Sequence, residues 1–366
     1  MSNGQPCYEL FIFSDRKDNE FLAIPVADIA HITKRPVKFL RFVGFCILGV
    51  DGSIMSEKGA FVEDDEAITE GKYYFVAPIA SGEGSSLVDP NVIGDYVNGN
   101  NLYWTSDSHR EFRDKVVARD RSGLVTNNIP SDCGSTHIIP YAKGNDYISA
   151  ISQARSRGNE PEITDIHDVR NGLLLFLSVK ELFTKDLALI RTPNAVLNHD
   201  DLLLHETSIT RNLNMHGIAD GNYVFLVFLW LAEGSPPIMG NDDDNTPVIG
   251  SRDKVPTGSR HRYGPLYEGL SSLPADFLLE FAFGAMVVRL WASKCLRDRL
   301  EAATRALYPS QVPDIEMEME SINITPEQQQ IFTAMDAVMN LRTAARYFGY
   351  VALSDAHFET VINGVG

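Results

Sequence analysis

Short apolar runs separated by turn residues fill the N-terminal third of the chain, and longer helical stripes fill its C-terminal part. Tyr8-Glu9-Leu10-Phe11-Ile12-Phe13 is a run of strand-forming residues. Phe21-Leu22-Ala23-Ile24-Pro25-Val26 is a second, and Pro25 assigns it to an edge or a strand end, because proline has no N–H to give a ladder. The dense, Phe-rich stretch from Val37 to Val50, closed by the turn Asp51-Gly52, and the run Lys72 to Val76 extend the same reading. Residues 1–105 therefore read as a β-rich N-terminal domain, with Ser81 to Asn100 as a Ser-, Gly- and Asn-rich loop or linker.

The pattern then alternates. Ser106, Asp107 and Ser108 offer N-caps to a helix through Arg119, on which Phe112, Val116 and Val117 share a face. From Gly123 to Asn194 the order is short strand, loop, short strand, helix. Gly123–Thr126 and Thr136–Ile139 are strand candidates, and Pro140 ends the second. Residues 141–165 read as a polar insertion broken at Gly144 and Gly158. Gly172 to Phe183 is strand then helix, and Leu187–Ile190 is a strand. Tyr223 to Ala232 is too short to span a bilayer and reads as a buried strand. Gly234 to Gly264, rich in Pro, Gly, Ser and Asp, reads as a disordered linker.

A long helix starts at Leu273–Asp276, with Phe277, Phe281, Met286, Val287, Leu290 and Trp291 inside and Lys294, Arg297, Arg299 and Arg305 on the wet side. Another starts at Ile324–Glu327, where Thr325 suits the N-cap and Pro326 the first helical position. The fold class is α+β. The β-rich domain at 1–105 is followed by a central domain with its following strands at 106–232, a linker at 233–265 and a helical region at 266–366.

Composition narrows the function classes. The 366 residues are 44% hydrophobic and 22% charged, enough for a sizeable core, and no run is long and apolar enough for a membrane span. The first residues carry no basic stretch and no apolar core of a secretory signal. Cys7, Cys46, Cys133 and Cys295 are scattered, which argues against a disulfide framework or a zinc knuckle and for reduced thiols in an intracellular protein, cytoplasmic or nuclear. Asp64, Asp65 and Glu66 read as a solvated loop.

A net charge of −17 counts against generic nucleic-acid binding, because phosphates repel an acidic surface unless basic residues cluster. The segment from Arg110 to Arg191 is less acidic than the rest. It holds Arg113, Lys115, Arg119, Arg121, Lys143, Arg155, Arg157, Arg170, Lys180 and Lys185, a weak pointer to phosphate contact.

Two motifs carry candidate chemistry. Ser135-Thr136-His137-Ile138-Ile139-Pro140 ends a strand on a histidine, and Asp168-Val169-Arg170-Asn171-Gly172 opens the next apolar run with an Asn-Gly turn. Taken singly, His137 reads as a core or turn histidine and Asn171-Gly172 as a turn. Asp165, His167 and Asp168 form a cluster that reads as a solvated loop or a metal site. Cys133 reads as a small buried residue, and His199, His205 and His216 as surface residues.

Together, HIIP, RNGLLL and the lead-in Phe112-Arg113 to Arg119-Asp120 resemble the HNH nuclease family, specifically its fungal type, over roughly residues 110 to 200. The resemblance implies a ββα-metal domain that hydrolyses nucleic-acid phosphodiesters. His137 would be the general base, Asn171 the residue that orients it, and a divalent ion (Mg, Mn or Zn) the charge stabiliser.

Lys180-Glu181-Leu182-Phe183-Thr184 stands where the family has HRLFD, so Lys180 replaces the metal-binding histidine. An ammonium has no free lone pair for a metal. The resemblance then leaves two functions. One is an endonuclease whose metal is held by substitutes drawn from His167, Asp165, Asp168 and Glu181. The other is an inactive pseudo-nuclease with no metal, in which Lys180 binds phosphate as a point charge within a nucleic-acid or protein binding module.

Overall fold

The structure is a computed structural model that describes residues 6–13, 15, 18–77, 86–92, 107–121, 123–124, 129–158, 160–176, 179–180, 183, 187–192, 194–202, 225–230, 238–241, 247–250 and 273–308. These fall within one compact unit, residues 1–311; the second unit, 312–366, with the helix expected at Ile324, lies outside the described residues.

The N-terminal strands β1 (Cys7–Phe11), β2 (Phe21–Pro25), β3 (Ser53–Ser56), β4 (Phe61–Val62) and β5 (Gly71–Val76) form one sheet in the order β2-β1-β5-β3-β4. β1 pairs antiparallel with β2, Cys7 opposite Pro25, and parallel with β5, Tyr8 opposite Gly71. Pro25 thus ends an edge strand. Leu10, Leu22, Ile24, Ile54, Tyr73 and Phe75 are buried.

Two helices, α1 (Val26–Ile32) and α2 (Pro36–Leu48), interrupt the expected all-strand pattern. The Phe-rich run from Val37 is therefore a helix. Pro36 sits in its first turn, where a missing N–H costs nothing, and Gly49 closes it in the left-handed region at φ 73°. The helix is apolar on nearly every side and buried on nearly every side. Such a run has no polar face, and a period of two cannot be told from one of 3.6. Its one buried lysine, Lys38, pairs with Asp201 at 2.6 Å.

The central region contains α3 (Asp107–Asp120), β6 (Cys133–His137), α4 (Gly144–Arg155), β7 (Gly172–Phe176), β8 (Leu187–Thr192) and β9 (Phe225–Trp230). β6 and β7 pair antiparallel, as do β8 and β9. α4 replaces the polar insertion expected at 141–165. Tyr147, Ile148, Ile151, Ser152 and Arg155 recur at helical spacing on its buried face, a stripe masked by the glycine at each end. Gly123 and Leu124 form no strand, although the Leu124 N–H bonds the Leu174 carbonyl at 2.9 Å. Within the stretch read as a disordered linker, β10 (Ile238–Asn241) and β11 (Pro247–Gly250) pair antiparallel.

The long C-terminal helix is two helices, α5 (Asp276–Trp291) and α6 (Lys294–Thr304). Ser293 breaks the run by capping α6, its hydroxyl accepting from the Leu296 N–H at 3.2 Å. Phe277, Phe281, Met286, Val287 and Trp291 are buried as expected, and Leu290 partly so.

One continuous apolar cluster joins these regions, from Tyr8 through α2, β7 and β8 to α5 and Tyr308. Phe283 of α5 meets Phe39 and Phe42 of α2 at ring centroid distances of 6.2 and 5.2 Å. The buried Arg155 of α4 donates to the Cys46 carbonyl (2.8 Å) and the Ile47 carbonyl (3.2 Å), satisfying acceptors at the C-terminal end of α2. Among the described residues no helix is long and apolar enough to cross a membrane.

Candidate nucleic-acid site

The site stands at one end of the β6–β7 hairpin, where His137 faces Gly172 across the ladder. Beyond it the chain stays locked. The Ile138 N–H bonds the Asn171 carbonyl at 2.7 Å, and the Ile139 N–H bonds Asn171 Oδ1 at 2.8 Å. Asn171 Nδ2 donates to the carbonyls of Ile139 (3.1 Å) and Ile166 (2.9 Å). Asn171 is wholly buried, and it clamps the backbone on both sides of the site. It therefore acts through the two loops that carry His137 and His167.

Helix α3 lies over this hairpin, and Gly172 makes that approach possible. A Cβ there would sit 2.4 Å from Val116 Cγ2 and 2.9 Å from Phe112 Cζ. The Asn-Gly glycine thus serves packing.

The paired residues of the lead-in helix explain themselves in the same way. Arg113 donates to the Cys133 carbonyl (3.0 Å) and the Pro130 carbonyl (3.1 Å). Arg119, 0% exposed, pairs with Asp120 (Nε to Oδ1, 2.6 Å) and donates to the carbonyls of Val169 (2.6 Å) and Gly172. Asp120 Oδ2 in turn accepts from the Leu174 N–H at 2.9 Å. An internal ion pair with every bond matched fixes α3 to β7.

The other end of α3 carries His109. Phe112, one turn later, lies flat on the His137 imidazole, with centroids 4.0 Å apart and planes at 4°. His137 Nε2 faces His167 Nδ1 at 3.2 Å. His109 meets both rings, at 4.8 Å from His167 and 5.7 Å from His137. Tyr141 covers the group, edge-on to His109 at 4.8 Å and stacked on His167 at 5.1 Å. Three imidazoles and a phenol from three separate segments thus form one cluster.

This cluster is held neutral. Burial, followed by the charge interactions of His167 and Lys180, pushes His109 down to about 4. Burial, then His167, His109 and Lys180, holds His137 well below the ordinary imidazole value. Burial also lowers His167, opposed by the Asp165 carboxylate and reinforced by Lys115. Lys180 therefore stands close enough to act on two of the three rings. It follows β7 in a helical turn closed by the Phe183 N–H on the Val179 carbonyl at 2.9 Å.

The carboxylates considered as substitute ligands are placed elsewhere. Asp165 Oδ1 accepts from the His167 N–H at 2.9 Å. Asp168 caps the turn at 169–171 and pairs with Arg170 at 2.6 Å. Glu181 lies outside the described residues. Burial drives the Cys133 thiol up to about 12, leaving it inert at neutral pH.

A divalent ion finds only part of a ligand set. Two imidazole nitrogens on one tetrahedral ion stand roughly 3.3 Å apart, given metal–nitrogen bonds of about 2.0–2.1 Å, and His137 and His167 have that spacing. Yet among the described residues no group of three or more His, Cys, Asp or Glu is arranged to hold a metal. The neighbouring ammonium of Lys180 would repel a cation. Among the described residues, those at the site do not fit the ion.

Much of the basic segment is also committed to the fold. Arg113, Arg119 and Arg155 cap backbone carbonyls, Arg157 pairs with Glu280, Arg170 with Asp168, and buried Lys143 with Asp89. Counted as free phosphate contacts, these residues overstate the basic surface. Lys115 is exposed beside Glu111, and Lys180 borders the histidines.

Two antiparallel strands, the first ending on His137 and the second opening at Gly172 directly after Asn171, are joined through α4 and followed by a helical turn at Val179 and Lys180. Residues 124–191 match the family model described as HNH endonuclease, so this segment is similar to HNH nuclease domains. Comparison with curated proteins and with solved structures gave no match. The family implies a nuclease-type function on nucleic acid, typically with a divalent metal.

Sequence reasoning did not single out His109 or Tyr141. His109 lies three residues before Phe112, already assigned to the inward face of its helix, and Tyr141 directly follows Pro140. Those positions were the available signal.

Proposed function

We propose that this chain is a nucleic-acid-binding member of the HNH family that engages a phosphodiester through Lys180 and no longer depends on a metal ion. The observation that carries the reading is the position of Lys180. Its charge acts on both His109 and His137, and in the sequence it stands where the family this segment resembles has a metal-binding histidine. An ammonium there supplies a fixed positive charge for a phosphate. Neutral imidazoles beside it add N–H donors without adding charge. Phe112 and Asn171 keep the imidazoles and their loops in place.

A second reading keeps hydrolysis, with His137 as the general base. It is favoured by the neutral state of that ring, which leaves a nitrogen lone pair at pH 7.

One pair of assays separates the two. The binding reading expects a fluorescently labelled oligonucleotide to bind in EDTA, and Lys180→Met to lose that binding. It also expects supercoiled plasmid to stay intact with Mg²⁺, Mn²⁺ or Zn²⁺. Nicking by the parent chain that vanishes in His137→Ala would establish the hydrolytic reading instead.

A further inference from the structure

We infer that His167, through its Nε2–H, is the member of the histidine cluster that touches the ligand's phosphate, and that His137 is a positioning residue acting through it. The inference rests on the binding function proposed above and names the donor that accompanies Lys180.

The two rings are placed differently. His137 is buried at 9% exposure, Phe112 lies flat on its ring at 4.0 Å, and its Nε2 is taken up by His167 Nδ1 at 3.2 Å. His167 is half-buried. That bond uses its Nδ1; among the described residues its Nε2 makes no hydrogen bond and is not closed off from solvent. The ring is nonetheless fixed. Tyr141 stacks on it at 5.1 Å, and Asp165 Oδ1 accepts from the His167 backbone N–H at 2.9 Å. Ile166, just before it, is held at both ends, its N–H by Asn145 Oδ1 at 2.8 Å and its carbonyl by Asn171 Nδ2 at 2.9 Å. A donor fixed in advance loses little freedom on binding.

Proton bookkeeping decides what Nε2 offers. Burial holds both imidazoles below their ordinary value, so each is neutral at pH 7 and carries one ring proton. The bond between them needs one donor and one acceptor. If His137 Nε2–H donates to His167 Nδ1, the single ring proton of His167 sits on Nε2, free for a ligand. The opposite assignment would present a lone pair there. Phosphodiester oxygens only accept, so an anionic ligand selects the first assignment. The negative charge of the acceptor strengthens such a bond. His137 thus sets which nitrogen of His167 carries the proton, without itself reaching the ligand.

The test is fluorescence anisotropy in EDTA with a labelled oligonucleotide. His167→Gln keeps an N–H donor at the Nε2 position. His167→Asn keeps a polar group only at the Nδ1 position, so it preserves the contact with His137 and loses the outer donor. His167→Gln should bind as the parent does. His167→Asn should weaken binding roughly tenfold, the scale of one hydrogen bond to a charged group. His137→Gln, which keeps a donor toward His167 Nδ1, should also bind as the parent does. The parent alone gives a second readout, which no variant's folding can disturb. In long-range proton–nitrogen correlation spectra, the His167 Nε2 resonance should move on addition of the oligonucleotide, and the His137 resonances should move less.

Parent affinity in His167→Asn overturns the inference, and binding lost in Lys180→Met would then leave the proposed function standing. Equal loss in His167→Gln and His167→Asn also overturns it, because only a structural role ignores which nitrogen is kept. So does a His137 resonance that moves on addition of the oligonucleotide while those of His167 stay in place. No binding by the parent overturns both.

Discussion

The two ends of α3 solve opposite problems. At its C-terminal end Arg119 and Asp120 are fully buried, oppositely charged and matched to each other and to the backbone of the hairpin. At its N-terminal end His109 joins two more imidazoles, all held neutral, with the cation of Lys180 beside them. The first arrangement stabilises and has no spare capacity. The second keeps polar groups buried or half-buried and uncharged, which is what a binding or reacting site requires. The two are also separable. The ion pair that anchors α3 does not involve residue 180, so a lysine there changes the chemistry of one end and leaves the anchor intact.

The largest effect should come from breaking the anchor. Arg119→Met leaves the Asp120 carboxylate buried without its partner, a loss on the order of 3–5 kcal/mol. Urea unfolding should show a large fall in midpoint or no cooperative transition. A variant as stable as the parent would mean that α3 is held mainly by Phe112 and Val116.

Asn171→Ala follows. It removes an acceptor from the buried Ile139 N–H and a donor from two carbonyls, and should cost about 2–3 kcal/mol. Because Asn171 holds both histidine loops, oligonucleotide binding should fall as well. Gly172→Ala should cost about 1–3 kcal/mol by overpacking against Val116, again read by urea unfolding.

These three positions mark what the sequence made legible. HIIP, Arg170-Asn171-Gly172 and the Phe-Arg to Arg-Asp spacing are contiguous, and each encodes a local contact, so the hairpin and its covering helix could be expected from them. The cluster could not. His109, His137, Tyr141 and His167 come from three segments and meet only after α3 has packed, so no spacing announces them. Elsewhere, α2 was hidden because nearly every position in it is apolar. α4 was hidden because Gly144 and its polar face drew attention from the stripe of Tyr147, Ile148 and Ile151.

A smaller effect concerns pH. His109 has a folded value of about 4, below the ordinary 6.5 of an unfolded imidazole. The unfolded chain therefore takes up a proton first as pH falls, and stability is lost from about pH 6.5 down towards pH 4, with no contribution from this group above that window. Thermal unfolding of the parent and of His109→Asn should diverge across this range, the variant showing the shallower loss. Parallel curves would place the histidines in a solvated, ordinary setting.

The central claim is that Lys180 has taken over the role of the metal ion at this site. The most direct measurement is oligonucleotide affinity of the parent chain in EDTA and in Zn²⁺ or Mg²⁺, beside that of Lys180→Met. The account requires equal affinity with and without metal, and its loss in the variant. Binding that appears only with a divalent ion, and survives in Lys180→Met, would contradict it.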